Sequence, residues 1–134
     1  GVQTCALPIL DTQPLSNLMF TIKALETLEL FCNGKIAAIT VLQQDEHSQE
    51  NTEGLINYPR NIEGVEIAIM FKFINPTTAR ISFRSKRVDV SKLALSFGGG
   101  GHARAAGCTV DGTMTAVKER VIAAAAELIK ENAK

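Results

Sequence analysis

The chain has 134 residues, which suits one domain with a hydrophobic core and is short for two. Fourteen basic residues balance fourteen acidic ones, so the zero net charge argues against a bulk electrostatic grip on long nucleic acid or an anionic membrane. No apolar run approaches the roughly 18 residues that a membrane span requires, so we expect no contact with a membrane. Three widely spaced cysteines, Cys5, Cys32 and Cys108, predict reduced thiols in a cytoplasm rather than a disulfide framework or a zinc site.

The first nine residues, GVQTCALPI, read as the direct translation of a common sequencing-library adapter. We therefore expect residues 1–9 to lie outside the natural fold; the alternative is a natural N-terminal strand or linker. No internal repeat or low-complexity linker is visible, so residues 10–134 are predicted to form one domain.

The first half of this domain begins with apolar residues at helical spacing over residues 15–28. Pro14 stands near the start of this predicted helix, and Asn33-Gly34 is the predicted stop. Residues 35–42 are apolar and rich in β-branched side chains, which predicts a buried strand. Residues 43–52 are polar and predict a loop that leads into a short helix or turn.

Strict alternation over residues 65–73 predicts a strand, and apolar residues on both of its faces predict a central position in the sheet. Residues 75–78, NPTT, are typical of a turn, and Ile81 and Phe83 then alternate with polar residues up to Ser85. These two segments therefore predict a β-hairpin.

The last third is predicted to contain two helices around a glycine-rich segment. Asp89 is the predicted N-cap of a short helix, and four glycines follow at residues 98–101. Residues 102–106 predict a helical turn, residues 108–110 a short strand, and apolar residues between 117 and 129 a final helix. The predicted fold class is α/β, a single domain with a mixed central sheet flanked by helices and a glycine-rich GGGH loop at one end.

The sharpest motif is SFGGGGHARAAG, residues 96–107. Consecutive glycines expose backbone N–H groups and can adopt positive φ, so they can form an anion-binding concavity. The imidazole of His102 can donate to a phosphate or carboxylate oxygen. The alternative is a glycine-rich hinge beside a surface histidine.

A second motif is the basic end of the predicted hairpin, Arg84-Ser85-Lys86. Arginine recognises phosphate with two parallel hydrogen bonds, and serine and lysine add donors. The alternative is a solvated basic edge that discourages strand pairing. A polar loop at residues 53–64 precedes the central strand and is a further candidate border of a site; its alternative is a plain strand entry.

Three stretches in this order carry a family resemblance: EGLINYPRNIEGVEIA, then ISFRSK, then VDVSKLALSFGGGGHARAAGCTV. Together they resemble the C-terminal DHH-associated domain of DHH-family phosphoesterases, and most of all the bacterial nano-RNase/pAp-phosphatase branch. The resemblance covers residues 10–134. It implies that the substrate-binding residues are Arg84, Ser85, Lys86, Gly99, Gly100, Gly101 and His102.

The resemblance also implies a longer parent enzyme. Its N-terminal DHH domain would hold two manganese ions and activate a water, whereas this domain would close over short oligoribonucleotides, pAp or dinucleotides. The Asp-His-His motif is absent from this sequence, so we expect no catalytic residue, metal site or cofactor here. Family members often form homodimers through the larger domain.

Two other functions remain open. A related domain closes alanyl-tRNA synthetases and binds tRNA, and cyclic-dinucleotide phosphodiesterases share the glycine–histidine motif. The histidine after the glycines, the zero net charge and the NYPRNIEGVE stretch favour the nano-RNase branch.

Overall fold

The computed structural model describes residues 14–42 and 52–132. These residues form one α/β domain, as predicted. In chain order its elements are α1 (Leu15–Leu25), β1 (Glu29–Phe31), β2 (Ile36–Leu42), α2 (Thr52–Leu55), α3 (Asn57–Arg60), β3 (Ile67–Asn75), β4 (Thr78–Ser85), α4 (Val90–Ser96), β5 (Gly100–His102), β6 (Ala105–Asp111) and α5 (Met114–Asn132). The predictions for residues 1–9 and for the loop at 43–51 lie outside the described residues.

The six strands form one sheet in the order β1-β2-β3-β4-β6-β5. Only β2 and β3 are parallel, and every other neighbouring pair is antiparallel, so the predicted mixed sheet is confirmed. Strand β3 has neighbours on both sides and is buried from Ile67 to Phe73, which confirms its predicted central position. The hairpin of β3 and β4 is also confirmed.

One face of the sheet carries the main hydrophobic core. Alternate residues of β3 and β4, among them Phe71 and Phe83, pack against α4 and α5. The final helix buries the five residues that its spacing predicted: Val117, Val121, Ala125, Leu128 and Ile129. Each large apolar side chain buried in this way stabilises the fold by about 1.5–3 kcal/mol.

The opposite face is covered over only part of its width. Ala24 of α1, and Leu55 and Ile56 at α2, pack on residues of β2 and β3 such as Ala68 and Met70. The half of this face formed by β4, β6 and β5 is not covered by that cluster, and its residues are half-buried or exposed.

The N-terminal prediction was wrong in its boundaries. Helix α1 ends at Leu25, and residues 29–31 form the edge strand β1, which pairs with β2. Asn33-Gly34 does not stop the helix but turns this hairpin, and Cys32, Asn33 and Gly34 all have positive φ. Asn and Gly adopt this conformation readily, which explains why the same dipeptide suits a helix stop and a hairpin turn.

The predicted cap of the helix that precedes the glycines is confirmed. The Asp89 side chain accepts a hydrogen bond from the backbone N–H of Ser91 at 3.0 Å. Hydrogen bonding from Ser91 also lowers the pKa of the Asp89 carboxyl. A carboxyl with a depressed folded pKa stabilises the fold above its unfolded pKa, so this contribution is lost as the pH falls through the folded value.

The glycine-rich segment differs from the prediction. Residues 102–106 do not form a helical turn: Gly100–His102 is the edge strand β5, and a tight turn leads into the longer strand β6. Alanines favour a helix locally, but pairing of Ala105–Asp111 with β4 along seven positions overrides that preference. Gly98 lies in a turn, and the last three residues of the GGGH segment, Gly100–His102, form an edge strand.

Within the described ranges, no helix is both long and apolar enough to cross a lipid bilayer.

The two cysteines among the described residues lie in different surroundings. Cys32 is exposed, whereas Cys108 is buried in β6. Burial raises the pKa of the Cys108 thiol to about 11, and the thiolate is the reactive form. We therefore expect iodoacetamide at pH 8 to alkylate Cys32 in the native chain and to leave Cys108 unmodified until denaturant is added. Peptide mass mapping of the two sites measures this, and rapid native labelling of Cys108 would contradict the burial of β6.

Candidate functional site

The uncovered half of the sheet brings three of the seven predicted site residues, Arg84, Gly100 and His102, to one surface. Paired residues in neighbouring strands point to the same face, so the register identifies the members of this surface. We call it the open face, and it consists of Arg80, Ser82, Arg84, Gly100, His102, Ala105, Gly107 and Thr109. Helix α3 reaches β4 at one border of the open face.

Arg84 and His102 lie in one row across this face. Arg84 pairs with Ala105, and Ala105 pairs with His102. Two strand spacings separate their Cα atoms by about 10 Å, and only the methyl group of Ala105 stands between them. The Arg84 guanidinium is half-buried and donates from Nη1 to the Phe83 carbonyl at 3.0 Å, whereas His102 is exposed. The arginine fork and the imidazole can therefore approach one anion from two sides.

The neighbouring row is almost free of side chains. Ser82 pairs with Gly107, and Gly107 pairs with Gly100, so one hydroxyl is the only functional group across three strands. A Cβ added to Gly100 would meet nothing within 4 Å, and the φ of Gly100 is not positive. Neither packing nor backbone conformation therefore requires glycine at this position. What the glycine does provide is a flat strip on which a ligand can approach the backbone.

The glycines on either side of Gly100 are required by packing. A Cβ on Gly99 would lie 2.1 Å from the Gly107 carbonyl oxygen and 2.7 Å from the Cα of Cys108. A Cβ on Gly101 would lie 2.6 Å from the Cα of Ala106, and Gly101 has a φ of +143°. These two glycines let β5 lie close against β6. The sequence interpretation, which assigned all of them to an anion cradle, did not separate these roles.

The structure places Ser85 and Lys86 apart from Arg84 and His102. Ser85 points to the core face and is 4% exposed; its hydroxyl donates to the Val88 carbonyl oxygen. Lys86 follows the end of β4, and its Nζ donates to the Ile62 carbonyl at 3.3 Å. In the structure both side chains hold neighbouring loops in place.

Two cations on this side of the sheet were not predicted as site residues. Arg80 lies one row beyond the glycine strip, and its partner in β3 is Lys72, which is only 8% exposed. Burial, and then the nearby charge of Arg80, lower the pKa of Lys72. A lysine inside the otherwise apolar strand IAIMFKFIN was the sequence feature that could have identified it.

The described part of the chain does not fit a pair of manganese ions. Among residues 14–42 and 52–132, no three His, Cys, Asp or Glu side chains come together in a group that could hold a metal ion. The chemistry that this surface offers is cationic and hydrogen-bond donating, which suits an anionic ligand.

A single α/β domain with a mixed sheet is the fold class that the sequence predicted. Residues 33–131 match the DHHA1 domain family. The chain therefore belongs to the DHHA1 domain family, and the resemblance to a DHH-associated C-terminal domain is confirmed at that level.

Two solved structures share this fold. An exopolyphosphatase-related protein from Bacteroides fragilis superposes with a TM-score of 0.70 at 23% sequence identity, over 90% of this chain and 36% of that protein. A pGpG-specific phosphodiesterase from Vibrio cholerae superposes with a TM-score of 0.54 at 12% identity, over 85% of this chain and 39% of that protein. The chain thus spans less than two fifths of the length of either protein.

Proposed function

We propose that this chain is the substrate-binding part of a metal-dependent phosphoesterase that hydrolyses short oligoribonucleotides, pAp or dinucleotides. The observation that carries the proposal is the placement of Arg84 and His102 in one row of the open face. In this proposal Arg84 binds a phosphate with two parallel hydrogen bonds, and His102 donates a third. The Ser82–Gly107–Gly100 strip beside them accepts the sugar or base.

The edge strand adds backbone donors to this site. Strand β5 is last in the sheet, so one side of Gly100–His102 has no neighbouring strand within the described residues. Free N–H groups at an edge strand, beside a residue without a side chain, allow close approach of a phosphate oxygen. Ser85, Lys86, Gly99 and Gly101, which the sequence assigned to the substrate, act in this proposal by holding the Arg84 and His102 strands in position.

We assign the hydrolytic step to a DHH domain of a longer parent protein, in which two manganese ions would activate the attacking water. Of the two similar proteins, one is exopolyphosphatase-related and the other is a pGpG-specific phosphodiesterase, and both descriptions agree with a phosphate-containing substrate. A cytoplasmic location and a homodimeric parent belong to the same proposal.

A binding experiment tests the proposal directly. Isothermal titration of the chain with pAp, pGpG and short oligoadenylates should show binding that adenosine, which lacks phosphate, does not compete for. Chemical shifts or protection should change at Arg84, Gly100 and His102 and not on α5. Tight binding of tRNA without binding of any short nucleotide would replace this proposal with the synthetase-type alternative.

A second expected result concerns catalysis. The chain incubated with Mn²⁺ should release no phosphate or mononucleotide from pAp or diadenylate above the buffer control, because a two-metal site needs several carboxylates and histidines held together. Liquid chromatography of the reaction products measures this. Metal-dependent turnover that persists in an Arg84→Ala/His102→Ala chain would contradict both the assignment of hydrolysis to another domain and the assigned site.

A further inference from the structure

Lys72 of β3 and Arg80 of β4 lie at the end of the sheet opposite to Arg84 and His102, and the proposed function does not use them. Lys72 and Arg80 are direct partners in the β3–β4 register, so their Cα atoms are about 5 Å apart on the same side of the sheet. Among the described residues neither side chain forms a salt bridge; the ion pairs there join Arg87 to Glu66, Lys118 to Glu29 and Lys130 to Glu127.

The two neighbouring cations repel each other, and neither is paired with a carboxylate among the described residues. Most of the Lys72 side chain is buried, but its ammonium nitrogen is not among the fully buried, unbonded polar atoms of the described residues. Burial and then the charge of Arg80 lower the pKa of Lys72. Methionine has a similar volume and would fill the same space without a positive charge. Asp111, the nearest carboxylate along this side of β6, accepts a hydrogen bond from Thr78 and forms no ion pair with Arg80. Two adjacent cations without a carboxylate partner among the described residues can bind an anionic ligand.

The distance between Arg80 and Arg84 sets the length of a ligand that can contact both ends of the open face. Arg80 and Arg84 are four residues apart on one strand, which separates their Cα atoms by about 13 Å. The two phosphates of pAp flank one nucleoside, so one molecule would occupy one end only. Stacked nucleotides advance by about 3.4 Å each, so two phosphates about four steps apart span the interval in a stacked strand, and phosphates fewer steps apart span it in an unstacked strand.

We propose that Lys72 and Arg80 form a second phosphate subsite, which binds the backbone of an oligonucleotide whose other phosphate lies at Arg84 and His102. This proposal rests on the function proposed above. The strip of Ser82, Gly107 and Gly100 lies between the two subsites, so the intervening nucleotides would cross a surface that lacks bulky side chains. The second subsite makes affinity depend on the length of the ligand, because a tetranucleotide contacts both phosphate sites whereas pAp contacts one.

The test compares pAp with tetraadenylate on the chain and on a Lys72→Met/Arg80→Gln variant. Removal of charge-assisted hydrogen bonds should weaken tetraadenylate binding by about 10- to 150-fold and change pAp binding less than about twofold. The slope of log K against log salt for tetraadenylate should fall by about 0.7 for each phosphate that the variant no longer neutralises, which a merely structural role would not produce. Lys130→Met, which removes an exposed charge on α5, is the control and should change neither ligand.

Each other outcome has a defined meaning. Equal tetraadenylate affinity in the variant and the wild type overturns the subsite and leaves the Arg84–His102 site standing. The same holds if wild-type chain binds tetraadenylate no better than pAp. If wild-type chain binds neither ligand, the proposed function itself fails, and the subsite fails with it.

The chain's own carboxylates are the competing explanation for the two cations. Residues 43–51 contain Asp45, Glu46 and Glu50. Under our proposal, an Asp45→Asn/Glu46→Gln/Glu50→Gln variant binds tetraadenylate at least as tightly as wild type, and Lys72→Met leaves the melting temperature unchanged or raised. A matching fall in melting temperature for both variants, with tetraadenylate affinity unaffected by Lys72→Met, would show that these carboxylates are the partners and would overturn the subsite.

Discussion

Replacing Gly99 with alanine is expected to disrupt the β5–β6 hairpin, whereas the same change at Gly100 should leave the fold intact. A methyl group on Gly99 would lie 2.1 Å from the Gly107 carbonyl oxygen, and its other close neighbours include the Cα of Cys108. Backbone in the middle of a sheet cannot move aside as a flexible side chain can. The overlap can be relieved only if β5 leaves β6, or if β6 shifts against β4.

The expected size follows from the cost of overpacking. Inserting a carbon into a filled space costs about 1–3 kcal/mol, and a backbone contact belongs at the upper end of that range. A destabilisation of about 3 kcal/mol lowers the melting temperature of a domain of this size by roughly 10 °C. Thermal unfolding followed by circular dichroism measures the change.

Gly100→Ala is the matched control, because the added methyl group meets no atom within 4 Å and the φ of Gly100 is not positive. Its melting temperature should stay within a few degrees of wild type. Its nucleotide affinity should fall, because the methyl group would stand on the flat strip beside Arg84 and His102. If Gly99→Ala melts like wild type, β5 does not pack on β6 as described. If Gly100→Ala binds nucleotides normally, the strip is not part of the binding surface.

The sequence predicted most of the core, because the core depends on periodicity. The alternation in β3 and the helical spacing in α5 identified the buried residues without knowledge of their partners. Periodicity could not distinguish the two meanings of Asn33-Gly34, because a helix stop and a hairpin turn place the same demand on φ. It also did not reveal β1 or β5, since three residues are too few to show a period.

The sequence identified Arg84, Gly100 and His102 as site residues but did not show how they are arranged in space. Arg84 and His102 are eighteen positions apart in the chain, and only the register through Ala105 shows that they share a row. Ser85 is adjacent to Arg84 in sequence, yet strand alternation sends it to the opposite face, where its hydroxyl satisfies the Val88 carbonyl. The pairing of Lys72 with Arg80 was missed for a related reason, because it is identified by strand register and not by proximity in sequence.

The second large effect is expected from the pair Arg84 and His102. Under the proposed function, Arg84→Ala or His102→Ala removes a charge-assisted or phosphate-directed hydrogen bond worth about 1.5–3 kcal/mol. Each single change should therefore weaken binding of pAp by about 10- to 150-fold, and the same factor should appear in kcat/KM once the chain is part of its parent enzyme. Neither side chain belongs to the hydrophobic core, so the melting temperature should change little.

The double variant and a conservative one make this test specific to phosphate. Side chains that bind the same anion are energetically coupled. The loss of binding free energy in Arg84→Ala/His102→Ala should therefore be smaller than the sum of the losses in the two single variants. Arg84→Lys keeps the charge but loses the planar fork, and we expect it to recover only part of the affinity. Lys118→Ala on α5, which removes a cation paired with Glu29 away from the open face, should bind like wild type. If both single variants bind every short nucleotide as the wild type does, the row formed by Arg84, Ala105 and His102 is not a phosphate site.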